Sequence, residues 1–255
     1  MARPQEGAKI ELYTRNRELN MRLQVVLARS GVASRRKAAD VIGKGRVTVN
    51  GRVVRERGFA VDPDSDTVTV DGKRLIFKKN KTYIMLNKPK GVITSKYDPE
   101  GRKTIFQLLP GKFASLHPIG RLDKDTTGLL LITDDGDLTY RLTHPKFEVR
   151  KTYRVGCKGR LGAKEIKRLE RGMMIEGRKT ARAKVEVVRA DEDSSELYLD
   201  IHEGRKRQIR NMFLFLGHPI KKLERVRYEF LDMKGLRSGG FRHLTRAEIR
   251  RLKDM

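Results

Sequence analysis

From residue 21 onward the apolar positions fall into two alternating kinds of period. Leu23, Val26 and Leu27 repeat at helical spacing, and Gly31 follows as a stop. Ser34 is placed to cap a second helix, whose first turn holds Arg35, Arg36 and Lys37. The period then changes to two: residues 45–51 read as a short strand running into an Asn-Gly hairpin signal, and residues 67–70 as another strand. A polar stretch at 77–81 reads as a linker. Beyond it, residues 83–86 and 129–133 are continuous apolar runs bounded by turn residues, the signature of strands buried on both faces. Residues 151–155 alternate, and 183–188 and 196–201 read as paired strands, with a helix predicted over 161–172. Ile209, Met212, Phe213 and Leu216 share one face of a further helix, ended by Gly217. Asp135-Gly136 reads as a turn, with Asp137 capping a short helix through Leu142. The pattern predicts an arm over residues 1–20, a small two-helix module with strands over 21–79, and a strand-rich domain over 80–255.

Composition narrows the function. With 58 Lys and Arg against 32 Asp and Glu, the formal net charge is +26. Such an excess repels itself in the folded state and is expected to meet a polyanion, with nucleic acid the leading candidate. The arm at 1–20 is charged and without period, which predicts a flexible basic segment. No apolar run approaches the ~20 residues of a membrane span, and the N-terminus has charges where a signal peptide would be apolar. Cys157 stands alone, so neither an internal disulfide nor a cysteine-built zinc site is expected, and a cytoplasmic protein is. There is no phosphate-binding Gly-x4-Gly-Lys-Ser/Thr loop and no Rossmann glycine pattern, so no nucleotide, flavin or metal is implied.

The candidate chemistry lies just before the second buried strand. Gly120, Arg121, Leu122, Asp123, Lys124, Asp125, Thr126, Thr127 and Gly128 form a polar loop at the end of a rigid element, a place where function is commonly carried. A lone loop Asp is ordinarily a turn former or a surface charge, and Asp125 fits that description. A calcium loop drawn from Asp123 to Asp137 fails on spacing, because Gly136 comes too soon after Asp134.

The run Ile-Gly-Arg-Leu-Asp from Ile119 to Asp123, continued to Thr133, resembles the central motif of the pseudouridine synthases that act on ribosomal RNA. Asn87-Lys88-Pro89-Lys90-Gly91, Lys151-Thr152-Tyr153 and the block from Glu203 to Phe213 match further motifs of that family. The resemblance implies Asp123 as the catalytic carboxylate, Tyr153 as a ring stacked on an extruded base, and Arg210 as the partner of the carboxylate. Arg210 lies at the edge of its helix's apolar stripe, from where its guanidinium could reach inward. Arg121, Lys88, Lys151 and Gln208 are implied as substrate contacts. Many relatives carry a second basic residue where this chain has Asn211.

The N-terminal module, with Ser-Arg-Arg-Lys-Ala and Val-Thr-Val-Asn-Gly at these places, resembles the S-four-like RNA-binding module. That likeness implies backbone contacts from Ser34, Arg35, Arg36, Lys37, Lys44, Arg46 and Asn50. The two together imply an α+β enzyme with an αα-β RNA-binding domain ahead of a mostly antiparallel catalytic sheet. The expected reaction is isomerisation of a uridine in ribosomal RNA, in the large subunit rather than the small, by a monomer without cofactor. A non-catalytic ribosome-assembly factor would share the charge and the module, but would not need Asp123, Tyr153 and Arg210 together.

Overall fold

A computed structural model describes residues 21–33, 35–63, 65–75 and 81–255. The chain divides into two compact units, Met1–Asn80 and Lys81–Met255. The expected arm and residues 77–80 of the expected linker lie outside the described residues, as does Ser34.

In the first unit, strand β1 (Met21–Arg22) leads directly into helix α1 (Leu23–Arg29), and α2 (Arg35–Gly43) follows. Strands β2 (Val47–Val49), β3 (Arg52–Val54), β4 (Ala60–Val61), β5 (Val68–Val70) and β6 (Lys73–Arg74) complete it. The sheet order is β3-β2-β5-β6, while β4 pairs with β1. Valines supply the buried side of the sheet, with Val47, Val49, Val68 and Val70 packed against Leu23, Val26 and Leu27 of α1 and Ile42 of α2. The β2–β3 turn places Asn50 and Gly51 at φ 50° and 79°, the left-handed pair that such a two-residue hairpin requires.

The second unit is built on one large sheet. Its strands are β7 (Tyr83–Lys88), β8 (His117–Pro118), β9 (Thr127–Thr133), β10 (Lys151–Lys158), β13 (Lys184–Ala190), β14 (Ser194–Ile201), β15 (Ile220–Tyr228), β16 (Leu231–Asp232) and β17 (Phe241–His243). A separate two-stranded ribbon, β11 (Met174–Ile175) and β12 (Arg178–Lys179), lies outside it. The order is β13-β14-β10-β15-β9-β7-β17, antiparallel throughout except where β15 and β9 run parallel. Helices α3 (Gly136–Thr143), α4 (Ala163–Arg171), α5 (Gln208–Phe215) and α6 (Arg246–Lys253) pack on the sheet.

The continuous apolar runs are explained by two cores. Ile84, Leu86, Leu130 and Ile132 join one core with Leu169 of α4 and Ile209, Met212 and Phe213 of α5. Met85, Leu129 and Leu131 join the other with Leu138 and Leu142 of α3 and Leu252 of α6. With both faces of β7 and β9 covered, neither strand has a polar side, and the period of two vanishes.

One cap moves by two positions. Asp135, not Asp137, is the N-cap of α3, its carboxylate accepting from the amides of Asp137 and Leu138 at 3.2 and 3.1 Å. Its other oxygen accepts from the buried Tyr83 hydroxyl at 2.7 Å, which holds the helix start against β7. Burial pushes the carboxyl of Asp135 up, but hydrogen bonds from that hydroxyl and from Leu138, with the charges of Lys253 and Lys81, together outweigh it and hold the carboxyl below its ordinary range.

Candidate active site

Asp123 sits between two anchored segments of backbone. Upstream, the Thr94 hydroxyl donates to the Leu122 carbonyl at 2.8 Å and accepts from the Leu122 amide at 3.2 Å. Downstream, the Thr126 amide closes a turn onto the Asp123 carbonyl at 3.0 Å, and the Gly91 amide donates to the Lys124 carbonyl at 2.9 Å. Where β9 begins, Gly128 lies opposite Arg225 of β15, and a Cβ built on it would stand 2.3 Å from the Arg225 carbonyl oxygen. Only glycine allows the two strands this approach. The half-buried Asp123 side chain makes no hydrogen bond or ion pair among the described residues, and it lines an open cleft of about 510 Å³. A fixed carboxylate left unused by the fold is available for chemistry.

The cleft also carries Arg121, Lys151, Tyr153, Gln208 and Arg210, so five of the six other residues singled out around Asp123 converge on it. Its charge is lopsided: Arg121, Lys151, Arg205, Lys206, Arg207, Arg210 and Arg225 face the carboxylates Asp123 and Glu203. Tyr153 is buried on β10, in the alternation that sends Val155 and Cys157 into the same core.

Arg210 behaves differently from the expected buried ion pair. It is half-buried, its Nη2 donates to the main-chain carbonyl of Asp125 at 3.1 Å, and its Nε is buried with no hydrogen-bond partner among the described residues. Burial, then the neighbouring Arg207, lower its pKa, while Asp123 and Asp125 oppose the shift. The cation is thus held near Asp123 by the loop's backbone, and no ion pair joins the two among the described residues.

Lys88 is the clear correction. It is 0 % exposed and cannot reach RNA; instead its Nζ donates to the carbonyls of Pro89, Lys124 and Thr126 at 3.1, 3.3 and 2.9 Å. It braces the Asp123 loop from below. Burial pulls its pKa down to about 8, against the opposing charges of Asp125 and Asp123. Gln208 is also committed to structure: its amide donates to Glu203, and its oxygen accepts from the Arg205 amide at 3.1 Å. With both polar ends used, it shapes the loop before α5 rather than offering free groups to a substrate.

Two cleft residues escaped the sequence reading. Arg225 is only 2 % exposed, and Tyr228 donates its hydroxyl to the Leu142 carbonyl at 2.6 Å. Both lie on β15, whose Ile-Lys-Lys-Leu-Glu-Arg-Val-Arg-Tyr sequence looks solvated. The signal was Leu223 two positions before Arg225, an alternation that places an arginine on the buried side.

In the first unit, Lys37 and Lys44 are exposed. Arg46 is engaged with Asp71 through Nε at 2.8 Å and Nη2 at 2.5 Å. Asn50 bridges its hairpin to the segment before β5, donating to Asp66 at 2.8 Å and accepting from the Thr67 amide at 2.9 Å. The side chains of Arg35 and Arg36, like Ser34, lie outside what the structure describes.

Comparison with known proteins decides what this constellation belongs to. The family model for RNA pseudouridylate synthase matches residues 82–215, and that for the S4 domain matches residues 21–68. The ribosomal large subunit pseudouridine synthase B of Bacillus subtilis is 44% identical over 236 residues, which cover 92% of this chain and 96% of that protein. The chain belongs to the RNA pseudouridylate synthase family. A Vibrio cholerae protein of the same description as the Bacillus relative is 35% identical over 93% of this chain and 75% of its own length. A solved pseudouridylate synthase structure superimposes with a TM-score of 0.67 at 32% identity, covering 91% of this chain and 99% of that one.

The activity is therefore isomerisation of uridine to pseudouridine in RNA, carried by the second unit, with an RNA-binding S4 domain ahead of it. No helix among the described residues is long and apolar enough to cross a membrane.

Proposed function

We propose that this synthase modifies a specific uridine of large-subunit ribosomal RNA, with Asp123 as the essential carboxylate. The observation that carries the reading is the cleft itself, where an unpartnered carboxylate on a doubly anchored loop faces Tyr153 and a surplus of cations. The near full-length likeness to a large-subunit synthase supports the choice of subunit. The reaction breaks the bond from uracil N1 to the ribose, turns the base, and joins C5 to the same ribose carbon. Since the detached uracil is itself the nucleophile, no external cofactor enters.

The target has to leave its stack to reach the cleft, and Tyr153 offers its ring to the extruded base. Arg121, exposed beside Asp123, is suited to filling the vacated space or gripping a phosphate. Arg210 holds a positive charge near Asp123. Residues 21–79 serve as the RNA-binding domain and 80–255 as the catalytic domain. Lys37 and Lys44 are exposed cations for phosphate contacts, and Arg46 could join them by exchanging Asp71 for phosphate. The partner is ribosomal RNA or a pre-ribosomal particle in the cytoplasm, met by a monomer. Mapping pseudouridine across ribosomal RNA from cells with and without the gene tests this. A large-subunit site lost with the gene supports the reading, whereas an unchanged map, or a loss confined to the small subunit, contradicts it.

A further inference from the structure

The deepest cations of the cleft form no ion pair with a carboxylate among the described residues. Arg225, nearly fully buried, has one hydrogen bond among the described residues: its Nε donates to the Leu129 carbonyl at 2.7 Å. Its Nη2 is buried without a hydrogen-bond partner among the described residues. Lys151, half-buried on the neighbouring strand, makes no hydrogen bond or ion pair among the described residues. The two share an aromatic rest, the Tyr228 ring, with Lys151 Nζ 5.7 Å and Arg225 Cζ 5.1 Å from its centroid. Burial, then the charge of Arg225, pull the Lys151 pKa down to about 8, against the opposing charge of Glu229, whose carboxylate is itself taken by the Arg150 amide. A fold gains nothing from two adjacent, desolvated and unpaired cations, and unsatisfied groups of this kind concentrate where a ligand completes them.

Strand register identifies the part of the RNA that would meet them. Tyr153 lies directly opposite Arg225 in the β10–β15 pairing, and Lys151 is two residues before Tyr153. Residues opposite one another, or two apart on a strand, present side chains to the same face. The base resting on Tyr153 is therefore the nearest moiety, while the phosphates of an extruded nucleotide stay toward the mouth of the cleft. A base becomes anionic at one moment of this reaction. When the bond from N1 to C1′ breaks, its electron pair leaves with the uracil and spreads over O2 and O4. The charge disappears again when C5 gives a pair to C1′, after which the C5 proton departs and N1 takes one up.

We propose that Lys151 and Arg225 form a cationic floor that holds the carbonyl oxygens of the detached, anionic uracil. This rests on the uridine-isomerising reading above. Both are catalytic residues in this role, because they meet the reacting ring; they lower the barrier to bond breaking and keep the free base in the cleft while it turns.

The test compares two full-length variants on two substrates, the target RNA with uridine and with 5-fluorouridine at the modified position. Fluorine makes the departing base a more stable anion, less dependent on the protein's cations. With enzyme in excess, disappearance of the target nucleoside is followed by digestion and mass spectrometry. Arg225→Gln should slow uridine on the order of 10²-fold and Lys151→Met about 10-fold, as loss of transition-state charge stabilisation does. Both defects should shrink several-fold on fluorouridine, with RNA affinity near wild type. Should a thermal melt show Arg225→Gln unfolded, Lys151→Met, which breaks no hydrogen bond, carries the test alone. Full speed, or the same defect on both substrates, would overturn the proposal while leaving the synthase assignment standing. A wild type that consumes neither substrate in any ribosomal RNA would overturn the parent reading and this proposal together.

Discussion

Replacing Gly128 with alanine should do more damage than any other single methyl group added near the site. The added Cβ would meet Arg225 at 2.3 Å from its carbonyl oxygen, 2.8 Å from its nitrogen and 2.9 Å from its carbonyl carbon. All three are backbone atoms, so no rotamer change relieves the clash. Overpacking of this kind costs about 1–3 kcal/mol, occasionally more. The positive φ of 105° adds about 1–2 kcal/mol for a residue with a Cβ. A total of roughly 2–5 kcal/mol is a large part of the ~5–15 kcal/mol that holds an ordinary domain together. At about 2–4 °C per kcal/mol, the melting temperature should fall by roughly 4–20 °C. The strain also has a direction, because it pries β9 from β15 and so moves the Asp123 loop away from Tyr153. Activity should therefore fall even at temperatures where the variant is folded. Gly120→Ala is the control. Its φ is 71°, but the nearest atom to an added Cβ is Thr143 Cγ2 at 4.0 Å, so only the backbone term of about 1–2 kcal/mol remains. Thermal melts and turnover of the two variants decide the matter. A Gly128→Ala protein within about 2 °C of wild type, or a worse outcome for Gly120→Ala, would refute the reasoning.

Other outcomes follow from the same structural features. Lys88→Met should remove a pH dependence of stability: below pH 8 the buried ammonium bears a net cost of roughly 3 kcal/mol, burial less the attraction of Asp125 and Asp123, and that cost is relieved as pH rises from about 8 toward 10.5. Urea unfolding at pH 7.5 and 9.5 should therefore show wild type gaining on Lys88→Met, and a constant difference would contradict the burial argument. Arg210→Met breaks no carboxylate pair, so its stability should stay within about 1–2 kcal/mol of wild type while turnover drops sharply. Loss of stability without loss of turnover would make Arg210 merely structural. Removing residues 1–79 should weaken RNA binding and flatten its salt dependence by about 0.7–0.9 log units for each phosphate no longer neutralised, whereas an unchanged slope would remove that part of the chain from the interface.

Sequence legibility followed how locally each feature is encoded. The Asn50-Gly51 hairpin, the α1 stripe and the doubly buried β9 are written in neighbouring residues, and they stand where pattern reading puts them. The loop of Asp123 was readable because turn residues abut an apolar run. Strand β15 was not, since its four Lys and Arg and one Glu hide the alternation of Leu223 and Arg225, a register shift then moves the next buried position to Tyr228, and its parallel pairing with β9 is a tertiary fact. Lys88 was misplaced for a similar reason. A lysine before Pro-Lys-Gly looks exposed until three carbonyls, two of them from a loop 36 and 38 residues onward, close around its ammonium. The α3 cap slipped because Asp134, Asp135 and Asp137 all suit the position, and the Tyr83 hydroxyl selects Asp135 from another strand. Arg210 was placed correctly at the margin of its helix, but a carbonyl rather than a carboxylate takes its hydrogen bond.

The central claim is that Asp123 performs the chemistry while its neighbour Asp125 does not. Isomerisation replaces the hydrogen on uracil C5, so ribosomal RNA tritiated there releases label to water with each turnover. Wild type should release it, Asp125→Asn should retain most of that rate, and Asp123→Asn should release none while binding the RNA about as well as wild type. Label released by Asp123→Asn at a rate near wild type would contradict the account at its centre.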